Sequence, residues 1–205
     1  MDDYVVHVVD DEEPVRKSLA FLLTMMGFTV RVHDRATSFL AAVPGIGKAC
    51  LVTDLRMPEM NGVELLEKLN ETGVQVPAVV ITGHGDVPMA VAAMKAGAVD
   101  FIEKPFQDEV LVEAIKRAAS RLDRIETVED VAAVQSRLAQ LSDRERQVLT
   151  AIVAGLPNKS IAYDLNISPR TVEVHRANIM SKMQAKNLPE LVRMSLAVNF
   201  ADKQM

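Results

Sequence analysis

Two hydrophobic patterns alternate along the first 124 residues of the chain. Short runs rich in Val, such as residues 4–9, are typical of parallel strands that are buried on both faces. Between these runs apolar residues recur at helical spacing, as Leu19 and Leu23 do before the helix stop at Gly27. Strands are predicted at residues 4–9, 28–33, 50–54, 78–82 and 99–103, and helices at 14–26, 37–43, 63–72, 87–96 and 108–124. These repeats predict an α/β fold with a doubly wound parallel sheet and helices on both of its faces.

Strand patterns are absent after residue 124. Residues 125–140 contain no Gly or Pro, which favours a helical linker. From residue 141 onward the pattern is purely helical, and Ser142 with Glu145 has the spacing of a capping box. Further helix starts are predicted near Asn158, at Ser168-Pro169 and at Asn187-Leu188-Pro189. We therefore predict a first domain at 1–124, a linker at 125–140 and a four-helix domain at 141–205.

Charge is unevenly distributed between these two parts. Residues 1–126 carry 20 acidic and 13 basic side chains, a net charge of −7, whereas residues 127–205 carry 8 and 10, a net charge of +2. This asymmetry suggests that the second part approaches a polyanion, although chance variation between two small domains would produce the same numbers.

Composition excludes several classes of protein. No apolar run approaches the length of about 18 residues that a transmembrane helix needs, and the acidic N-terminus does not resemble a secretory signal. The single cysteine, Cys50, cannot form an internal disulfide. A cytoplasmic protein without a membrane partner is therefore expected, with Cys50 as a small core residue on a strand.

Polar side chains follow four of the predicted strands. Asp10-Asp11 end the first strand, Asp54 the third, Thr82 the fourth and Lys104 the fifth. Ligands of doubly wound sheets bind at the carboxyl ends of the strands, so these groups should converge at one edge. Clustered carboxylates repel each other unless a cation joins them, and hard oxygen ligands favour Mg²⁺. The sequence thus predicts a magnesium site beside a phosphate-binding lysine.

Each of these residues also has an ordinary interpretation. A single Asp after a strand is usually a helix cap, Lys104 alone would be a solvated charge, and Thr82 alone would be a common strand residue. Their joint placement at strand ends argues against that interpretation. A second alternative is an aspartyl-phosphate phosphohydrolase. That class needs an acid two residues after its nucleophile, where this chain has Arg56, and its nucleophile normally follows the first strand.

These motifs resemble those of two-component receiver domains. The resemblance rests on Val8–Glu12, Asp54–Pro58 with Gly62, Thr82-Gly83 and Lys104-Pro105. It implies a flavodoxin-like receiver in which a histidine kinase phosphorylates Asp54. It also implies Mg²⁺ ligands at Asp10, Asp11, Asp54 and the backbone carbonyl of Arg56, a phosphoryl contact from Lys104 before a cis peptide at Pro105, and a switch pair formed by Thr82 and Phe101. Phe101 would equally suit a plain core position.

The helical half has the spacing of a helix-turn-helix over residues 158–183. Val172, Ile179 and Met183 fall on one face of the second helix and should be core, while Glu173, Val174, Ala177 and Ser181 fall on another. A small helical docking module with solvated basic residues is the alternative interpretation of the same pattern.

Three stretches of this half, 141–145, 155–162 and 171–175, resemble the LuxR-type helix-turn-helix. The resemblance implies that Glu173, Val174 and Ala177 face base edges. His175 is either a phosphate contact or a packed core histidine. The full set of predicted DNA-binding residues is Arg170, Thr171, Glu173, Val174, Arg176, Ala177 and Lys182. His7, His33 and His84 are too scattered in sequence to suggest a metal site.

A receiver followed by a LuxR-type domain is similar to the NarL/FixJ family, and residues 82–104 and 156–176 resemble its nitrogen-fixation regulators. This implies a haem-containing, oxygen-sensing histidine kinase as partner and promoters of nitrogen-fixation genes as targets. Phosphorylation would cause homodimerisation through the fourth helix, fifth strand and fifth helix. The chain lacks a Gly-x-x-x-x-Gly-Lys nucleotide loop, so it should contact RNA polymerase directly.

We expect a regulator that is not an enzyme beyond slow self-dephosphorylation. A constitutive DNA binder that acts without phosphate and a receiver whose helical half docks to protein are the other two hypotheses.

Overall fold

The computed structural model describes residues 4–83, 86–122, 128–198 and 200, with only the backbone of residues 128–130. These residues divide into two compact units. One lies within Met1–Gly85 and Ala96–Arg124, and the other lies within Asp86–Lys95 and Ile125–Met205. No helix in the described part of the chain has the length and apolar character needed to span a membrane.

Strands and helices alternate through the first half of the chain, as the hydrophobic pattern predicts. The strands are β1 (Val5–Val9), β2 (Thr29–His33), β3 (Ala49–Asp54), β4 (Ala78–Thr82) and β5 (Asp100–Glu103). The helices are α1 (Glu13–Met25), α2 (Ala36–Ala42), α3 (Gly62–Glu71), α4 (Val87–Lys95) and α5 (Asp108–Ala119).

The strands form one parallel sheet in the order β2-β1-β3-β4-β5. The order reverses between β1 and β3, because the chain moves outward to β2 and then returns past β1. A doubly wound sheet binds its ligand beside such a reversal, outside the carboxyl ends of the strands. The predicted doubly wound fold is therefore confirmed, and its edge lies where Asp10 follows β1 and Asp54 ends β3.

Both faces of the sheet are apolar because parallel strands are covered on both sides. On one face, Leu23 of α1 and Ile115 of α5 belong to the same buried cluster as Val8, Val52 and Ile81. Cys50 is buried in this cluster as predicted, and burial raises the pKa of its thiol to about 12.

The second half of the chain is helical. Its helices are α6 (Val128–Ala139), α7 (Asp143–Val153), α8 (Asn158–Asp164), α9 (Pro169–Met183) and α10 (Leu188–Ala197). The predicted helix starts are set by local hydrogen bonds. Ser142 and Glu145 form a complete capping box before α7, while Ser168 and Asn187 cap α9 and α10, each followed by a proline in the first turn.

The bounds of α1 to α4 lie within one residue of the predictions, and larger differences have local causes. Helix α5 ends at Ala119 rather than at residue 124, because the amides of Ser120, Arg121 and Leu122 turn inward onto carbonyls of the last turn. Residues 123 and 124 of that prediction lie outside the described residues. Helix α8 begins at Asn158 itself, since Pro157 occupies the cap position.

Two of the three histidines that looked scattered in the sequence are in contact. His7 and His33 lie on the neighbouring strands β1 and β2, with His7 Nδ1 and His33 Nε2 2.9 Å apart. Phe39 of α2 packs edge-on against both rings, with centroid separations of 5.4 Å. His84 lies outside the described residues. The sequence separation of 26 positions hid the pair, because only strand pairing brings it together.

This pair should make the fold acid-sensitive. Burial and the neighbouring charges of His33 and Arg31 lower the pKa of His7 from 6.5 to about 4. Between these values the unfolded chain binds protons more tightly than the folded chain, so stability is lost as pH falls below about 6.5. We expect the free energy of unfolding to drop by roughly 2–3 kcal/mol through this histidine between pH 7 and pH 4.5.

Urea unfolding of the wild type and of His7→Leu across this pH range measures the effect. The difference between the two proteins should change with pH, since other titrating groups are common to both. Parallel pH profiles would contradict the assignment.

Candidate phosphoacceptor site and DNA interface

Lys104 joins two carboxylates at the carboxyl edge of the sheet. Its Nζ lies 2.8 Å from Asp54 Oδ1 and 3.2 Å from Asp10 Oδ2. Asp10 is 1 % exposed and Asp54 is 8 % exposed. Three strands thus bring one ammonium and two carboxylates together, as predicted from Lys104 after β5, Asp10 after β1 and Asp54 at the end of β3.

Burial and neighbouring charges act in opposite directions on Asp10 and Lys104. Burial raises the pKa of Asp10, and the nearby charge of Asp54 adds to the rise, while the Glu12 amide and Lys104 oppose it. Burial also acts to lower the pKa of Lys104, but the hydrogen bonds and negative charges of Asp54 and Asp10 outweigh it and raise that pKa overall. Lys104 is therefore held charged between two acids.

The loop after β3 holds Asp54 in place. The Arg56 backbone amide donates to Asp54 Oδ2 at 2.7 Å, and Asn61 caps α3 so that Gly62 lies against the strand end. A Cβ on Gly62 would come within 2.6 Å of the Asp54 carbonyl oxygen, and the Gly62 amide donates to Leu55 O at 2.8 Å. Only glycine permits this close approach of two backbones.

The predicted switch pair lies on the two strands beside the trio. Thr82 is fully buried at the end of β4, and its carbonyl accepts from the Lys104 amide at 2.7 Å. Phe101 is half-buried on β5, where it pairs with Val80, two positions before the residue that pairs with Thr82. The Lys104–Pro105 peptide is cis, which confirms that prediction.

Arg16 is a site residue that sequence reasoning missed. Its Nη1 donates to the backbone carbonyl of Asp10 at 2.6 Å, reaching back from α1 across the acidic turn. The available signal was an arginine one and a half turns after Asp10 on the helix that follows it. The guanidinium fixes the main chain that carries the carboxylate.

The helix-turn-helix places the predicted faces of α9 as expected. Val172, Ile179 and Met183 are fully buried, whereas Glu173, Val174, Ala177, Ser181 and Arg170 are exposed. Thr171 is half-buried, and its hydroxyl lies 2.8 Å from the Ser168 hydroxyl at the helix cap.

Two of the three flanking cations are bound within the unit. Arg176 Nη1 donates to Asn158 Oδ1 of α8 at 3.1 Å, and Lys182 Nζ lies 2.7 Å from Glu145 Oε2 of α7. Glu145 is almost fully buried, and its hydrogen bond with Lys182 lowers its pKa. Arg170 is the flanking cation whose side chain extends into solvent, and DNA contacts by the other two stay predictions.

His175 is half-buried on α9, with no hydrogen-bond partner for its buried Nδ1 among the described residues. This arrangement does not match the fully hydrogen-bonded core histidine that was one of its two interpretations. The alternative, a phosphate contact through the other ring nitrogen, stays a prediction.

Comparison with known proteins agrees with both halves. Residues 6–116 match the model of the response regulator receiver domain, and residues 139–195 match that of the luxR family of bacterial regulatory proteins. The chain belongs to the NarL/FixJ family of two-component response regulators.

Individual relatives extend this similarity over the whole chain. The transcriptional regulatory protein FixJ of Rhizobium meliloti (strain 1021) is 66 % identical over 201 residues, covering 98 % of both chains. FixJ of Azorhizobium caulinodans is 53 % identical and covers 96 % of this chain and 93 % of its own. The solved full-length FixJ from B. japonicum is 46 % identical, with a TM-score of 0.56 over 97 % of this chain and 98 % of its own.

Membership of this family makes the chain a FixJ-like, DNA-binding two-component response regulator. Receiver domains typically bind Mg²⁺ at their acidic phosphorylation site. In the part of the chain that the structure describes, no three carboxylate, His or Cys side chains gather closely enough to hold a metal ion. Asp10 and Asp54 converge, whereas Asp11 is exposed and outside that cluster.

The donor chemistry nevertheless fits Mg²⁺. The converging groups are carboxylate oxygens, which are the ligands that this ion prefers. Burial raises the pKa of Asp10, so a nearby divalent charge would favour its ionised form.

The close packing at Gly62 yields a test of the site. In Gly62→Ala, the new Cβ must displace the Asp54 main chain, because it would lie 2.6 Å from the carbonyl oxygen. We expect phosphorylation by acetyl phosphate and Mg²⁺ to slow roughly 10- to 100-fold, as misplacement of a reacting group by a fraction of an ångström does.

Gly47→Ala is the matched control, since a Cβ there meets no atom within 4 Å. Mass spectrometry of the intact protein measures the rate of phosphate addition to each variant. Equal rates for the two variants would show that the Gly62 contact does not position Asp54.

Proposed function

We propose that a sensor histidine kinase phosphorylates Asp54 and thereby switches the chain into a dimeric, DNA-binding activator. The observation that carries this proposal is the Lys104 ammonium between Asp54 and Asp10, at 2.8 and 3.2 Å. Phosphoryl transfer depends mainly on positioning and on neutralising negative charge. A carboxylate already held against a fixed cation meets both requirements.

Asp10, Asp11, Asp54 and the Arg56 backbone carbonyl would hold Mg²⁺, which neutralises charge on the transferring phosphoryl group. Asp54 Oδ2 accepts from the Arg56 amide, so the carboxylate is oriented from one side. Oδ1, bound to Lys104, is the oxygen that would attack phosphorus, and the O–P bond would form as the N–P bond of the kinase's phosphohistidine breaks and the histidine nitrogen leaves. Lys104 then moves from Oδ1 to a phosphoryl oxygen. Slow hydrolysis of the acyl phosphate resets the regulator.

Thr82 and Phe101 would transmit this change. The Lys104 amide donates to the Thr82 carbonyl at 2.7 Å, so a shift of the Lys104 main chain would also displace the end of β4. The Thr82 hydroxyl would turn toward the phosphoryl group, and Phe101 would move inward into the space that this opens. The receiver would then pair with a second phosphorylated copy.

Dimerisation places two α9 helices on one duplex, with half-sites about 10 base pairs apart. Glu173, Val174 and Ala177 would read base edges, and Arg170 with Thr171 would contact phosphates. Arg176 and Lys182 belong to the proposed set only if they exchange their present partners for phosphates.

The similarity to FixJ proteins supports a more specific role. The kinase would be FixL-like and oxygen-responsive, the targets would be promoters of nitrogen-fixation genes, and the dimer would act in the cytoplasm by contacting RNA polymerase.

Asp54→Asn tests the phosphoacceptor. The amide is a far poorer nucleophile toward phosphorus but has the same size, so we expect no added phosphate after treatment with acetyl phosphate and Mg²⁺, no phosphate-driven dimer and an unchanged melting temperature to within a few degrees. Intact-mass spectrometry and sedimentation measure these results.

Glu67→Gln, at an exposed position on α3 and outside the proposed dimer face, is the control and should behave as the wild type. A phosphate still attached to Asp54→Asn would move the acceptor to another residue.

Glu173→Ala tests base reading by α9. Loss of one acceptor that reaches a cytosine amino group should change preference at a single base-pair position by about 1–3 kcal/mol. Binding to a library of operator variants gives the preference. Asp164→Ala removes an equivalent exposed charge from α8 and should leave the preference unaltered. An identical profile for Glu173→Ala and wild type would place that residue outside the groove.

A further inference from the structure

Helix α6 is packed into the helical unit rather than standing free as a spacer. Its residues Val134 and Leu138 are 9 % and 6 % exposed and lie in the same buried cluster as Ile179 and Met183 of α9. One face of α6 therefore contributes to the core that supports the recognition helix.

Arg137 reaches the end of the recognition helix. The last four carbonyls of a helix have no partner within the helix. At the end of α9, Gln184 turns into the left-handed conformation with φ 56°, and the amides of Gln184 and Ala185 donate to Ser181 and Met180.

Arg137 Nη1 donates to the Met183 carbonyl at 3.4 Å, which supplies a further partner from outside the helix. Its charge also faces the negative end of the α9 dipole.

A second charge fixes the same turn. Lys182 Nζ lies 2.7 Å from Glu145 Oε2, and the same oxygen accepts from the Ser142 amide at 2.8 Å. Glu145 thus ties the start of α7 to the last turn of α9. Two neighbouring residues at the end of the recognition helix, Lys182 and Met183, are therefore held by α7 and α6 respectively.

We propose that Arg137 is a positioning residue for sequence reading, acting through the Met183 carbonyl to fix the orientation of α9. This proposal rests on the proposed base contacts of Glu173, Val174 and Ala177. These side chains lie on α9 between six and ten residues before Met183, so a tilt at the C-terminal end displaces them. Hydrogen bonds to base edges depend strongly on geometry, whereas attraction to phosphates tolerates small displacements.

Loss of the Arg137 contact should therefore reduce discrimination more than general affinity. The probes are a duplex that the acetyl-phosphate-treated wild type selects from a random pool, and a random duplex of equal length. We expect Arg137→Ala to lose about three- to tenfold in the ratio of the two affinities, as for one hydrogen bond. Its affinity for random DNA and its salt dependence should match the wild type. Arg137→Lys, which can still donate to the carbonyl, should restore most of the ratio.

Lys186→Ala is the charge-matched control, because Lys186 is exposed just beyond α9. It should change the affinities for both duplexes by the same factor. If Arg137→Ala does the same and flattens the salt dependence, Arg137 is a phosphate contact and the proposal is overturned. An unchanged ratio overturns it as well.

Two further results complete the design. If Arg137→Ala does not fold, the same two affinities are measured for Arg137→Gln, which keeps a shorter donor. Its ratio of selected to random affinity should lie between those of the wild type and a variant without the contact. A ratio equal to that of the wild type overturns the positioning role. If the wild type selects no sequence from the pool, the proposed base reading by α9 is wrong. If the wild type selects a sequence and Arg137→Ala binds that sequence with the same ratio, only the positioning role of Arg137 is wrong.

Discussion

The contact of Lys104 with Asp10 and Asp54 is the constraint on which the receiver half depends. Two buried carboxylates this close would repel each other strongly without a cation between them. The ammonium makes the arrangement tolerable, and it holds Oδ1 of Asp54 at a distance of 2.8 Å. The group that neutralises the two acids is also the group that, in the proposed function, would bind the phosphoryl oxygen.

The rest of the fold serves to bring these three side chains together. The order β2-β1-β3-β4-β5 puts β1 beside β3, so the ends of these strands meet at the point where the sheet reverses direction. Gly62 brings the start of α3 against the main chain of Asp54, and Arg16 holds the carbonyl of Asp10. Backbone contacts on both sides therefore fix the carboxylates before any ligand arrives.

The helical half uses charge in a different way. Its recognition helix exposes short and acidic side chains on the outer face, while two of its cations are directed to neighbouring helices. Lys182 is bound to Glu145 and Arg176 to Asn158. Two cations that were predicted to reach phosphates thus bind neighbouring helices instead, in a part of the chain, residues 127–205, whose net charge is only +2. The receiver half and the helical half thus share one feature, a lysine that neutralises a buried acid: Lys104 in the first and Lys182 in the second.

Sequence alone determined the features that local physics sets. Helix starts at Ser142, Ser168 and Asn187 follow from side chains that bond to their own first turn, and the strands follow from apolar runs that only a doubly covered sheet can bury. The convergence of Asp10, Asp54 and Lys104 was predictable as well, because parallel strands share one carboxyl edge.

Tertiary structure decided the contacts between residues that are distant in sequence. The His7–His33 pair, the binding of Lys182 by Glu145, the approach of Arg137 to Met183 and the absence of Asp11 from the described carboxylate cluster could not be predicted from periodicity. Periodicity reports which face of an element is buried, whereas the partner of a charged or polar group depends on which elements pack together and at what register.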